Sequence, residues 1–175
     1  IVTVGRSTIG PVLQGSRTIP IVFVNLADPV GIGVVRSLAR PEGNATGFTD
    51  FEYSMSGKWL ELLREIAPHV TRVAVLRHPA AASGAGQFSV IQSSAPTFGV
   101  ELVPINVRDA GEIERDIAAL ERSGNGGLIV TSGGTASHRD LIIELAARHK
   151  LPAIYPFPYY AKDGGLIAYG PDPRD

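Results

Sequence analysis

The chain has 175 residues, of which 44% are hydrophobic and 19% are charged, and its formal net charge is −1. This composition allows a buried core, and it offers neither a basic surface for nucleic acid nor an acidic tail. Cysteine is absent, which excludes disulfides, thiolate metal sites and cysteine nucleophiles. No apolar run reaches the ~18 residues that a membrane-spanning helix needs.

The ends of the sequence predict an incomplete protein. The chain begins at Ile1 inside a predicted strand, with no initiator methionine and no signal peptide. It stops in a turn-like stretch at residues 171–175, without a closing helix. We therefore expect a mature protein that lacks its start, or a fragment.

The first part of the chain predicts few elements. Residues 19–24 form a continuous apolar run rich in β-branched side chains, as in strands that are buried on both faces of a parallel sheet. Residues 31–39 are predicted to be a short helix, and residues 45–48 a short extended segment. The intervening cluster of Arg, Pro, Gly and Asn at residues 40–44 indicates a turn and, with Gly47, a domain boundary.

From residue 54 onward the pattern becomes regular. Apolar spacing predicts helices that begin near residues 54, 86, 109 and 141, with Gly99 and an Asp109–Glu112 capping box as end signals. Strands are predicted at residues 73–76, 100–107, 128–131, 152–155 and 166–169. From residue 73, strands recur about every 25 residues with helices between them, which is the spacing of βαβ units.

These elements predict an α/β fold with a doubly wound parallel sheet in three layers, α/β/α. We expect residues 47–165 to form one complete βαβ lobe and residues 1–46 to be part of a first, incomplete lobe. Residues 166–175 are predicted to return toward that first lobe. Two chain crossings of this kind suit a hinged, two-lobed protein.

Ligands of open parallel sheets bind beyond the carboxyl ends of the strands. That rule selects the loops at residues 25–30, 77–79, 132–135 and 156–160. In the first loop, Asp28, Pro29 and Val30 precede a predicted helix. Asp28 can pair with a ligand amine and the helix N-terminus can hold a carboxylate, or Asp28 can simply cap the helix.

The next two loops carry polar groups. His78 follows a strand and can donate a hydrogen bond to a ligand. Ser132, Gly133 and Gly134 lie between a strand and a helix, where glycine lets the backbone approach a ligand and free N–H groups attract anions. The alternative is a flexible turn. The loop lacks the lysine of a phosphate loop, so nucleotide binding is not expected.

The fourth loop places four aromatic residues within residues 155–160. Such rings suit an apolar or aromatic ligand. We predict that Phe157, Tyr159 and Tyr169 cover the ligand, although packing between lobes is the alternative for some of the rings.

Catalytic and cofactor signals are weak throughout the chain. No histidine and carboxylate set has metal spacing, and Ser132 lacks the flanking glycines of a nucleophile elbow. Gly31 and Gly33 lack the third glycine of a dinucleotide fingerprint. We therefore predict no enzyme activity, no cofactor and no metal.

The segment at residues 19–48 resembles the ABC-transporter substrate-binding family, whose best-known branch binds tryptophan and related aromatic amino acids. The matching residues are Asp28, Pro29, Val30, Ser37, Leu38, Ala39, Arg40, Pro41, Gly43, Asn44, Thr46 and Gly47. Residues 151–172 resemble the family's later strand and its return toward the first lobe. The chain departs at Glu42, at His78-Pro79 where the family often has Asn-Pro, and at Ser132-Gly133, where the family often has an acidic residue.

The resemblance implies a type I periplasmic-binding fold and an exported or lipid-anchored receptor, periplasmic or extracytoplasmic, that delivers a small molecule to a membrane permease. Tryptophan itself is not carried over as the ligand. The leading hypothesis is an importer receptor for an amino acid or aromatic acid. The alternatives are a ligand-sensing domain of a regulatory protein and an enzyme. Exposed sheet edges also leave room for a homodimer.

Overall fold

The computed structural model describes residues 1–49 and 51–172. The chain divides into two compact units, Ile1–Glu52 and Tyr53–Asp175. Within the described residues each unit has its own parallel sheet, with three strands in the first unit and five in the second. None of the described helices is long and apolar enough to cross a membrane.

The first unit is a small parallel sheet with one helix. Its elements are β1 (Val2–Val4), α1 (Arg6–Gly15), β2 (Ile21–Val24) and β3 (Ala45–Gly47). Strand β2 is the central strand of a parallel sheet, as predicted, but only one of its faces is fully buried, since Ile21 and Phe23 are buried and Val22 and Val24 are half-buried. The core of this unit consists of Ile9, Ile21, Phe23, Leu26, Val35 and Ala45.

The helix predicted at residues 31–39 is wrong. This segment is a series of turns, and Gly33 has a φ of 76°, which a right-handed helix cannot contain. The carbonyl of Pro29 accepts the N–H groups of both Val34 and Val35, so the chain curls back on itself instead of continuing. Apolar spacing alone suggested a helix, but the glycine and the preceding aspartate favour a turn.

The second unit alternates strands and helices. Its strands are β4 (Arg72–Arg77), β5 (Glu101–Asn106), β6 (Gly126–Val130), β7 (Ala153–Tyr155) and β8 (Ile167–Ala168). Its helices are α2 (Ser56–Ile66), α3 (Ala82–Phe98), α4 (Ala110–Glu121), α5 (Arg139–Arg148) and α6 (Pro158–Lys162). Short 3₁₀ turns at Tyr53–Met55 and Ala136–His138 precede α2 and α5.

All five strands of the second sheet are parallel and follow the order β5-β4-β6-β7-β8. Helices α2 and α3 pack together on one face, where Leu63 of α2 lies over Gly127 of β6. On the other face, Ile113 and Ile117 of α4 and Leu145 of α5 join one buried core with Ala74 and Leu76 of β4. The predicted doubly wound, three-layer α/β/α fold is confirmed.

Helix ends in the second unit follow their sequence signals. Gly99 ends α3 in the left-handed conformation, with φ 62°, and Asp109 accepts the N–H of Glu112 at 2.9 Å to begin α4. Helix α6 was not predicted. It has five residues, too few to show a helical period, and its start at Pro158 is a position that proline favours.

The segment after α6 begins in the second sheet. Ile167 and Ala168 pair with Ile154 and Tyr155 of β7, so the first residues of the predicted return crossing are a strand of the second unit. Residues 173–175 of that crossing lie outside the described residues. The lobe boundaries and the crossing itself remain predictions.

Candidate ligand-binding site

The strand order creates a switch point between β4 and β6. From β4 the chain moves to β5 on one side, and from β6 it moves to β7 on the other. The loops that leave the two strands lead in opposite directions along the sheet, and ligands of open α/β sheets bind at such a point, beyond the carboxyl ends of the strands. Residues 78–81 and 131–135 form these two loops.

Two glycines let the loops meet at this edge. Gly133 and Gly134 have φ values of 76° and 81°, a left-handed conformation that favours glycine. A Cβ on Gly134 would lie 2.6 Å from the Cβ of His78, and one on Gly133 would meet the hydroxyl of Ser83 at the start of α3. Three of the residues predicted at this edge, His78, Gly133 and Gly134, are therefore in close proximity.

Gln87 of helix α3 anchors the loop at residues 131–135. Its side chain is fully buried on α3, and its Oε1 accepts the backbone N–H of Ser132 at 2.8 Å while its Nε2 donates to the Ser132 hydroxyl at 2.7 Å. Ser132 is itself only 6% exposed. The loop is thus fixed to helix α3 by two hydrogen bonds from one amide, rather than being a flexible turn.

Backbone donors remain available in the same loop. Within the described residues, the N–H groups of Gly133 and Gly134 donate to no protein acceptor. His78 adds a side-chain donor, because its Nδ1 accepts the N–H of Ala80 at 3.3 Å, so that its proton lies on Nε2 when the ring is neutral. Together these groups form an edge that suits a ligand with acceptor atoms.

A buried chain of hydroxyls supports the far end of the loop. Thr135 donates to the carbonyl of Thr131 at 2.7 Å, and the Tyr160 hydroxyl lies 3.2 Å from the Thr135 hydroxyl. A threonine hydroxyl has one proton, so Tyr160 is the donor in the second bond. This chain connects the loop after β6 to α6.

The predicted aromatic cluster is a continuous stack with two environments. Tyr155 stacks on Tyr160 and Tyr160 on Tyr159, with ring centroids 5.2 and 4.9 Å apart, and Phe157 stacks on Tyr159 at 5.4 Å. Tyr155 and Tyr160 are fully buried in the core of the second unit, whereas Phe157 and Tyr159 are half-buried. The guanidinium of Arg139 lies 5.6 Å from the Tyr159 ring centroid. Within this stack, only Phe157 and Tyr159 have appreciable surface exposed to solvent.

The burial of Tyr155 and Tyr160 makes the stability of the fold depend on pH in the alkaline range. It raises the pKa of Tyr160 to about 12 and also raises the pKa of Tyr155. The Tyr160 hydroxyl ionises near pH 10 in the unfolded chain but only near pH 12 in the folded protein. The stability that this difference contributes is fully present below pH 10 and is lost as the pH rises to 12.

We expect the free energy of unfolding of the wild type to fall by about 3 kcal/mol from Tyr160 alone between pH 10 and pH 12. Tyr160→Phe should be less stable at pH 7 by about 1 kcal/mol, because it lacks the bond to Thr135, but it should lose less stability over the alkaline range. Urea unfolding of the wild type and of Tyr160→Phe at several pH values measures both the difference at pH 7 and the loss of stability in alkali. Parallel pH curves for the two proteins would contradict this prediction.

Tyr169 follows β8 at the same edge of the sheet. Its N–H donates to the carbonyl of Tyr155 at 2.9 Å, and its carbonyl accepts the indole N–H of Trp59 at 2.7 Å. Its side chain is 40% exposed. The backbone of Tyr169 is therefore fixed while its ring remains accessible.

The residues predicted in the first unit lie at the carboxyl end of β2. Asp28 has a φ of 49°, and its Oδ1 accepts the N–H of Gly31 at 3.0 Å, so it caps a turn and not a helix. Pro29 is buried, and Val30 is 39% exposed. Because no helix follows, the predicted carboxylate site at a helix N-terminus is absent from this part of the described structure.

Sequence reasoning did not identify Gln87 as a site residue. The signal was present, because Gln87 interrupts a buried stripe on α3 that otherwise consists of Gly84, Ile91 and Ala95. A glutamine on the inward face of a helix needs partners for both ends of its amide. Its partner, Ser132, lies 45 residues away and could be found only from the fold.

An apolar hollow of about 420 Å³ lies elsewhere on the second unit. It is lined by residues that precede the strands or close α5, among them Ala67, Lys150, Leu151 and Leu166. These are the amino ends of the strands, opposite the switch point. The loops at the carboxyl edge, and not this hollow, have the convergent polar groups of a ligand site.

Comparison with known proteins identifies relatives along the whole chain. A family profile described as ABC transporter substrate binding protein matches residues 1–175. A curated tyrosine-binding protein of Clostridioides difficile (strain R20291) is 25% identical over 159 residues, which are 91% of this chain and 46% of that protein.

Two solved structures have a similar fold. A conserved domain protein of Vibrio cholerae O1 biovar eltor matches with a TM-score of 0.77 and 26% identity, over 98% of this chain and 57% of that one. An ABC domain from Streptococcus pneumoniae in complex with L-Trp matches with a TM-score of 0.75 and 20% identity, over 98% of this chain and 59% of that one.

The parallel sheets and these structural matches define a type I periplasmic-binding fold, as predicted. The chain belongs to the ABC transporter substrate-binding protein family, whose members are solute-binding proteins. It spans about half the length of the curated relative and less than two thirds of the solved chains. The first sheet has three strands and the second has five, and the chain covers only part of the solved proteins, which fits the predicted incomplete first lobe.

Proposed function

We propose that this chain is part of an extracytoplasmic receptor of an ABC importer, which traps an amino acid or a related aromatic acid between two lobes. The observation that carries the proposal is the meeting of the His78 loop and the Ser132–Gly134 loop at the switch point of the second sheet. Both loops direct hydrogen-bond donors to the place where this class of fold binds ligands.

The proposed ligand class follows from the groups at that edge. A carboxylate matches the donors of Ser132, Gly133, Gly134 and His78, and an apolar or aromatic side chain matches the exposed parts of the outer rings. The relatives support this choice, since one is a tyrosine-binding protein and another was solved in complex with L-Trp.

The remaining predicted residues have complementary roles in this proposal. Asp28 pairs with the ligand's ammonium group through the carboxylate oxygen that Gly31 does not use, with Pro29 and Val30 beside it. Phe157, Tyr159 and Tyr169 cover the apolar body of the ligand. Closure about the hinge then shifts the protein toward the state that the permease recognises.

Receptor function also implies that the ligand leaves unchanged. The second-unit edge contains donors held by a buried amide, and the proposal assigns none of them to proton transfer or nucleophilic attack. The membrane permease of the importer is the proposed partner, and the proposed location is the periplasm or the outer face of the membrane.

The experiment is a ligand panel applied to the protein expressed from its complete reading frame. L-Tyrosine, L-tryptophan, L-phenylalanine and L-leucine are added at 1 mM while thermal unfolding is followed, and the ligand is then recovered for mass spectrometry. A ligand at about 100 times its Kd adds about 2.7 kcal/mol of stability and raises Tm by several degrees. An unchanged Tm with every amino acid refutes the proposal, and a chemically altered ligand refutes the receptor role.

A further inference from the structure

The hydrogen bonds of Gln87 determine how the Ser132 hydroxyl is oriented. The backbone N–H of Ser132 can only donate, so the group that faces it at 2.8 Å must be the Gln87 carbonyl oxygen. The other end of the amide is then an NH₂ group, and it faces the Ser132 hydroxyl oxygen at 2.7 Å. The hydroxyl oxygen is therefore already an acceptor.

The hydroxyl proton is consequently free to point elsewhere. Within the described residues, the Ser132 hydroxyl donates to no protein acceptor. The neighbouring N–H groups of Gly133 and Gly134 are free as well. The loop after β6 therefore has three groups that can donate to a ligand, the Ser132 hydroxyl and the N–H groups of Gly133 and Gly134.

We propose that Gln87 is a positioning residue that fixes the Ser132 hydroxyl as a hydrogen-bond donor, so that this loop selects a ligand carboxylate over an uncharged carboxamide. The inference rests on the proposed function and adds the direction of one hydrogen bond, from the Ser132 hydroxyl to the ligand. Gln87 does not touch the ligand itself, since its side chain is fully buried and both ends of its amide are occupied by Ser132.

The chemistry of a Gln87→Glu substitution tests this directly. An ionised carboxylate has no donor, so one oxygen accepts the Ser132 N–H and the other must accept the Ser132 hydroxyl proton. The hydroxyl then turns away from the ligand, and a negative charge is added behind it. We expect affinity for a carboxylate ligand at pH 8 to fall about a hundredfold, and affinity for its carboxamide to fall much less.

The pH dependence distinguishes positioning from packing. A protonated carboxyl group again has one donor and one acceptor, like the amide it replaces, and burial raises the pKa of a carboxyl group. Compared with the wild type at the same pH, so that any contribution of His78 cancels, the Gln87→Glu protein should therefore regain most of its affinity for the carboxylate ligand as the pH is lowered from 8 to 5. A substitution that only damaged packing would show no such recovery.

Two further variants complete the design. Gln92→Glu adds the same charge on the same helix at an exposed position, and its affinity should match the wild type. Ser132→Ala removes the hydroxyl but keeps the backbone bond to Gln87, so its preference for the carboxylate should be reduced even if Gln87→Glu fails to fold. Calorimetric titration with L-tyrosine, L-tryptophan and their carboxamides gives the four affinities for each protein.

The outcomes separate the inference from the proposed function. If the wild type binds an amino acid and neither Gln87→Glu nor Ser132→Ala changes the carboxylate-to-carboxamide ratio, the inference is overturned and the receptor function stands. If the wild type binds no amino acid, both are overturned. A reduced ratio in Ser132→Ala, together with a reduced ratio in Gln87→Glu that recovers at pH 5 wherever that variant folds, supports the inference.

Discussion

Replacing Gly134 by alanine is expected to lower ligand affinity by at least tenfold and to destabilise the second unit by about 3 kcal/mol. Two costs combine at this position. The backbone has a φ of 81°, where a residue with a Cβ is strained by about 1 kcal/mol. The new Cβ would also lie 2.6 Å from the Cβ and 2.7 Å from the Cγ of His78, too close for either loop to keep its place.

The steric cost is the part that affects binding. The two loops meet at the switch point, so any movement that relieves the clash displaces His78 or the N–H groups of the Ser132–Gly134 loop. A misplacement of about 1 Å weakens hydrogen bonds sharply. We therefore expect the lost affinity to be larger than the backbone strain alone would give.

Gly124→Ala is the matched control. Gly124 has nearly the same backbone conformation, with φ 78°, but a Cβ there meets nothing within 4 Å. It should cost the strain of about 1 kcal/mol and leave binding unchanged. Urea unfolding and titration with L-tyrosine or L-tryptophan compare the two variants. Equal effects of the two substitutions on affinity would show that the contact with His78 does not shape the site.

The architecture of the second unit could be predicted because its signals are local. Short apolar runs predicted β4 and β6, Gly99 and Asp109 marked helix ends, and the order of elements implied a parallel sheet. The general rule for parallel sheets then placed His78 and Ser132 at one edge without any knowledge of their distance.

The features that the sequence did not predict are those that local apolar spacing does not determine. Residues 31–39 have helical apolar spacing, but a left-handed Gly33 and the turn capped by Asp28 override it. Helix α6 is too short to be periodic. The contacts that organise the site join residues far apart in sequence, such as Gln87 with Ser132 and Trp59 with Tyr169, 110 residues away. Local patterns contain no information about such pairs.

The contact between Trp59 and Tyr169 leads to the second large expected effect. Trp59 on α2 is fully buried, and its indole N–H donates to the carbonyl of Tyr169 at 2.7 Å, just beyond β8. Trp59→Ala should destabilise the second unit by about 3–5 kcal/mol, because a large aromatic side chain leaves a cavity in the core. Trp59→Phe keeps most of the volume and should lose about 1 kcal/mol from the missing hydrogen bond.

This contact also links stability to the proposed site. Hydrogen bonds hold the backbone of Tyr169, while the residue is 40% exposed. The indole of Trp59 therefore helps to position the Tyr169 ring, which is proposed to cover the ligand. Trp59→Phe should therefore reduce the affinity for an aromatic ligand such as L-tyrosine more than the affinity for L-leucine. A purely structural role would weaken both equally.

The measurement has to avoid fluorescence, since Trp59 is the chain's one tryptophan. Urea unfolding followed by far-ultraviolet circular dichroism gives the free energies, and calorimetric titration gives the affinities. Leu166→Ala is the control, because Leu166 lies next to β8 but is 61% exposed, so that its loss should change stability by less than about 0.5 kcal/mol. If Trp59→Ala costs no more than this control, the indole does not hold the end of β8, and the position of Tyr169 must be set by its bond to Tyr155 alone.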